Sequence, residues 1–145
     1  GSASLWDAGD GVLLVEYHSK LNAMDPMSME MLLTAVDIAE NEGWKGILIG
    51  NDGSHFCAGA NLGLALFAAN LGAWKEVEQF ISLGQDTYQA LKYAEVPVVA
   101  AATGMCVGGG CELSTATDIR IAARGSKVIQ WNSFPRARHC IIDVV

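Results

Sequence analysis

A run of glycines set between two apolar elements constrains this chain more than any other feature. Val98 to Ala102 reads as a short buried strand behind Pro97, and Cys111 to Thr117 as a short helix. The residues Gly104-Met105-Cys106-Val107-Gly108-Gly109-Gly110 join them. Such a turn bares backbone N–H groups, lets another molecule come close to the main chain, and sets the positive end of a helix dipole beside it. Negative charge developing on an oxygen would be stabilised there. A phosphate-binding Walker loop is excluded because Gly110 is followed by Cys111 and Glu112 rather than Lys and Ser or Thr, and a dinucleotide fingerprint is excluded because Leu113 stands where its last glycine belongs. By pattern alone, the glycines could equally serve only to pack a helix tightly on a sheet.

The elements around this turn alternate. Val12 to Tyr17 is a compact apolar run entered from Gly9-Asp10-Gly11, which predicts a strand. Asp25-Pro26 supplies an N-cap and a first-turn proline. Met27, Met31, Ala35, Ile38 and Ala39 then recur at helical spacing up to Gly43. Ile47 to Ile49 reads as a buried strand, Asn51 to Ala60 as a loop, and a second helical pattern follows. From Trp74 a stripe of Trp74, Val77, Phe80, Ile81, Tyr88 and Leu91 predicts a long helix that ends before Pro97, and Ile119 to Ala123 predicts a further strand. Strands and helices in this order make an α/β fold.

Composition narrows the partners. Sixteen acidic against nine basic residues give a formal net charge of -7, which argues against nucleic acid or an anionic membrane surface. The most apolar stretch, Val96 to Val107, is interrupted by Pro97 and Gly104 and is too short to span a bilayer. Cys57, Cys106, Cys111 and Cys140 form no CxxC pair, so a reduced, cytoplasmic setting is expected. His55 and Cys57 make one HxC pair without further spaced ligands, and His139-Cys140 adds nothing stronger, so no metal site is expected. His18 reads as a turn residue, and the tryptophans as core or interface. Gly1 to Ser4 reads as an expression-vector remnant. From Arg124 the texture changes: the last 22 residues hold four of the nine basic residues and one of the sixteen acidic ones.

A second segment, Phe56-Cys57-Ala58-Gly59-Ala60-Asn61-Leu62, delivers small residues to a helix start and could present another backbone donor, although ordinary loop-to-helix connections look the same. The two segments together, in this order and on these elements, resemble the paired oxyanion-hole motifs of the crotonase (enoyl-CoA hydratase/isomerase) superfamily. Lys20-Leu21-Asn22-Ala23-Met24 and the run Glu112 to Ala122 support the likeness, which covers roughly Val12 to Ala123. Within that superfamily, Leu5 to Val12 and Ala60 to Asn70 look most like the hydratase portion of bacterial multifunctional β-oxidation proteins, in which a 3-hydroxyacyl-CoA dehydrogenase would follow.

The resemblance implies a spiral of ββα units over residues 5–125, incomplete at the C-terminus, with residues 126–145 as an atypical tail. It implies a fatty acyl-CoA substrate, no separate cofactor, and a homo-oligomer, a trimer or hexamer. The N–H groups of Ala60 and Gly109 would hold the thioester oxygen, while Lys20, Leu21, Ala58, Ala60, Asn61, Leu62, Gly63 and Gly109 would lie along the coenzyme A. Asn61 and Gly63 replace the more usual Asp and Lys. Glu112 matches a glutamate that works with a second one to activate water and to exchange a proton at the α-carbon. Near Cys111, Leu113 and Ala116 it is expected to be partly desolvated, which suits proton transfer. It could also be a first-turn glutamate facing the helix dipole. Where the second glutamate is expected, 20 residues on, stands Asn132, so the sequence reads as truncated or divergent after Arg124. Little hydration of crotonyl-CoA is then expected, and a non-catalytic acyl-CoA-binding or oligomer-forming role remains the alternative.

Overall fold

The computed structural model describes residues 1–129 and 141–144. Its first element is a strand that periodicity did not announce, β1 (Ala3–Asp7), which pairs antiparallel with β2 (Val12–Tyr17). Gly9, Asp10 and Gly11 all take positive φ in the turn between them, a conformation that favours glycine. Residues set aside as a vector remnant thus contribute: Ala3 is buried in the strand. Parallel pairing then runs from β2 to β3 (Gly46–Gly50), to β4 (Val98–Ala102), to β6 (Ile119–Ala123) and to β8 (Ile141–Val144). Among the described residues this gives one six-stranded sheet, with β8 at its margin.

A second, two-stranded parallel sheet joins β5 (Met105–Val107) to β7 (Lys127–Ile129). Sequence reading merged β5 into the glycine turn because three residues between glycines carry no visible period. The rest of the expected tail, including Pro135, Arg136, Arg138 and the Asn132 position, lies outside the described residues.

Helix α1 (Pro26–Asn41) starts where expected, with Asp25 accepting from Ser28 N at 2.9 Å while Ser28 Oγ accepts from Asp25 N at 2.9 Å, a reciprocal capping box. Its buried face is Ser28, Met29, Leu32, Ala35, Val36 and Ala39, whereas Met27 is exposed. The expected stripe was therefore rotated by about one residue at its start. Helices α2 (Leu62–Asn70) and α3 (Trp74–Lys92) form the long hairpin, and α4 (Gly109–Ala116) follows β5. On α3 the buried positions are Gly84, Thr87 and Leu91. Val77, Phe80 and Tyr88 are half-buried, and Trp74 and Ile81 point to solvent, contrary to the predicted stripe.

The core lies between the sheet and the helices. Leu13, Val15 and Tyr17 of β2, Ile47 and Ile49 of β3, and Val98, Ala100 and Ala102 of β4 point one way at period two. Helix α1 packs across β1, β2 and β3, α3 packs over α1, and α2 and α4 rest against α3. Each fully buried aliphatic side chain such as Ile49 or Leu32 contributes about 1.5–3 kcal/mol relative to exposure. This assembly fixes the start of α4 against the loop that precedes α2.

Candidate active site

The two glycine-rich segments that sequence reading paired are stitched together by backbone hydrogen bonds. Phe56 N donates to Thr103 O at 2.7 Å, Cys57 N to Met105 O at 3.0 Å, and Val107 N to Cys57 O at 3.1 Å. Gly110 allows this approach: a Cβ there would lie 2.5 Å from Cys57 O and 2.7 Å from Cys57 Cβ. Behind Cys57, Gly59 adopts φ +95 and turns the chain toward Ala60.

Ala60 is held in register by Met24. Met24 N donates to Gly59 O at 2.8 Å and Asn61 N donates to Met24 O at 2.7 Å, so the residue between them belongs to a parallel bridge. In such a bridge the central residue's own N–H faces away from the partner strand. Ala60 N therefore points away from Met24, and among the described residues it donates no hydrogen bond. Gly109 N, the first amide of α4, is likewise without an acceptor among the described residues, as helix-start amides are when nothing caps them. The two residues are neighbours. A Cβ on Gly109 would sit 3.3 Å from Ala60 N and 3.1 Å from the Tyr88 hydroxyl, a tight fit that glycine avoids.

One turn into α4, Glu112 lines a cavity of about 320 Å³ with Thr115 and Ala116 on its own helix and Tyr88, Gln89, Lys92 and Tyr93 on α3. The expected desolvation of Glu112 is corrected here, because its side chain is exposed. The α4 face that carries Cys111, Leu113 and Ser114 turns into the protein, and Glu112 lies on the opposite side, at the cavity. Burial falls instead on its neighbours. It pushes the Tyr88 phenol upward, helped by the nearby Glu112 carboxylate, and raises the Cys57 thiol to about 11.

The residues expected along coenzyme A cluster beside this arrangement. Ala58 N donates to Leu21 O at 3.1 Å, which ties the Lys20–Asn22 turn to the loop before Ala60. Leu21 takes φ 56 and is half exposed, Lys20 and Leu62 are exposed, and Gly63 lies in the first turn of α2. Asn61 caps that helix by accepting from Leu64 N at 3.4 Å. His55 accepts from Met105 N at 3.2 Å and His18 bonds Ser4, both local structural roles. Tyr88, which sequence reading assigned only to a helix stripe, is the residue it missed. Its hydroxyl donates to Gly109 O at 3.1 Å.

Comparison with known proteins identifies the family. The sequence model of the enoyl-CoA hydratase/isomerase family matches residues 7–134. The chain belongs to that family. As a member of it, the chain is 43% identical over 110 residues to a Bacillus subtilis protein described as a probable 3-hydroxyacyl-CoA dehydrogenase, covering 76% of this chain and 14% of that protein. It is 36% identical over 120 residues to the crotonyl-CoA hydratase of Syntrophomonas wolfei, covering 79% and 45% respectively. The crystal structure of an enoyl-CoA hydratase from Polaromonas sp. JS666 superposes with a TM-score of 0.79 at 27% identity, covering 87% of this chain and 49% of that one. This family member thus spans less than half of each of these three relatives, and its α/β architecture is that of the enoyl-CoA hydratases.

Proposed function

We propose that this enoyl-CoA hydratase/isomerase family chain binds a fatty acyl-CoA thioester and stabilises its enolate. The N–H groups of Ala60 and Gly109 receive the thioester oxygen, and Glu112 moves the proton at the α-carbon. One observation supports the reading: two backbone amides without acceptors among the described residues belong to residues that lie against each other, with a carboxylate one helical turn away. Polarising the carbonyl withdraws electron density from the α-carbon, so a base there needs less driving force, and each such donor is worth about 3 kcal/mol in the transition state. Lys20, Leu21, Ala58, Asn61, Leu62 and Gly63 form the coenzyme A side of the site. The setting is cytoplasmic fatty-acid oxidation, and among the described residues no helix is long and apolar enough to cross a membrane.

Hydration requires a second acid, and Asn132 cannot supply one, so this chain is expected to turn over crotonyl-CoA poorly. Exchange of the α-protons of butyryl-CoA in D2O requires only the base and the oxyanion donors. NMR of the wild-type chain should show that exchange, and Glu112→Gln should abolish it while leaving butyryl-CoA binding nearly unchanged. Exchange that survives in Glu112→Gln overturns the assignment.

A further inference from the structure

The half-buried Tyr88 lines the cavity beside Glu112 and reaches the backbone of Gly109. Its hydroxyl donates to Gly109 O at 3.1 Å, and Met24 Sδ lies 3.9 Å from the hydroxyl oxygen of Tyr88. Met24 is the residue whose N–H and C=O bracket Ala60. A side chain from α3 therefore rests on the peptide that opens α4 and on the residue that fixes the other donor's direction. We propose that Tyr88 is a positioning residue that holds the Ala60 and Gly109 amides in mutual alignment, an inference that rests on the oxyanion reading above.

Two donors polarise one oxygen well only when both stay near hydrogen-bond distance from it, about 3 Å, and that distance depends on how α4 sits against the loop at Ala60. The two segments share backbone hydrogen bonds at Cys57, and Tyr88 adds a side-chain contact to Gly109 O and to Met24, the residue whose backbone brackets Ala60. Truncating its hydroxyl leaves the aromatic packing in place and removes only the fastening. The consequence is specific: the ligand still binds, but its carbonyl is polarised less.

A conjugated dienoyl thioester such as 2,4-hexadienoyl-CoA reports this directly, because polarising its carbonyl moves its ultraviolet absorbance to longer wavelength. The wild-type chain should bind the probe with a red shift. Tyr88→Phe should lose most of that shift while its dissociation constant stays within about threefold of wild type. Incorporation of 3-fluorotyrosine at position 88, which returns a hydroxyl of altered acidity to Gly109 O, should bring back a shift whose size differs from that of the wild-type chain. A Tyr88→Phe chain that keeps the full red shift overturns the inference and leaves the oxyanion reading intact, whereas a wild-type chain that binds the probe with no shift overturns both. If Tyr88→Phe fails to fold by circular dichroism, the fluorotyrosine chain decides alone, because its altered phenol should change the size of the shift, and an unchanged shift overturns the inference.

Discussion

Gly109 and Gly110 are adjacent and chemically identical, yet they are glycine for different reasons. A Cβ on Gly110 meets the backbone carbonyl of Cys57 at 2.5 Å, an atom that cannot move without breaking the bonds that join the two loops. A Cβ on Gly109 meets the Tyr88 hydroxyl at 3.1 Å and Ala60 N at 3.3 Å, tight contacts that small shifts relieve. Gly110→Ala should therefore lower stability by about 1–3 kcal/mol, the usual cost of overpacking a filled site, as measured by urea denaturation. Gly109→Ala should cost less stability but block the space beside Ala60, abolishing the red shift of a bound dienoyl thioester. Equal losses of stability in the two variants would show that this distinction is wrong. The glycine pattern was legible in the sequence as a turn, but which glycine packs and which leaves room depends on Cys57 and Tyr88, residues far away in the chain.

Element boundaries were more legible than element faces. Asp25-Pro26 announced α1 through local chemistry, and the capping box is present in the structure. The faces of α1 and α3 were misjudged because both helices carry apolar residues on more than one side, so periodicity leaves several rotations open and the sheet decides between them. Strand β1 was missed because its half-buried pairing with β2, rather than its own pattern, makes it a strand. Helix α2 shows the same ambiguity at its extreme: none of its residues is buried, while Leu62, Leu66 and Phe67 are each more than 60% exposed. With Leu71 and Trp74 they form an apolar surface along the α2–α3 turn, of a kind that rarely stays in water. Self-association through this surface is the expected outcome. Light scattering at micromolar concentration should report an oligomer for the wild-type chain and a smaller species for the double variant Leu66→Glu, Phe67→Glu. A stable wild-type monomer would refute it.

At the scale of the whole molecule, the buried ionisable groups gather where the site joins the core, and this sets a pH limit on the fold. Burial pushes the thiols of Cys57, Cys106 and Cys111 and the phenols of Tyr17 and Tyr88 upward, with Cys57 raised from 9.0 to about 11. An acid whose folded pKa exceeds its unfolded value keeps its proton in the native state after the unfolded chain has lost its own. The unfolded state then binds fewer protons, so stability falls as pH rises. For Cys57 the contribution is fully present below pH 9 and is lost progressively between pH 9 and 11. Integrated to pH 10.5, that one thiol accounts for about 2 kcal/mol. Cys57→Ala removes this titration while leaving the other groups in place. Its absolute stability also changes through altered packing, so the comparison that matters is the slope. Urea denaturation at pH 8 and pH 10.5 should show the wild-type chain losing about 2 kcal/mol more across that interval than Cys57→Ala loses. Equal losses in the two chains would mean that Cys57 is not the buried thiol that couples the loop before α2 to the alkaline limit of the fold.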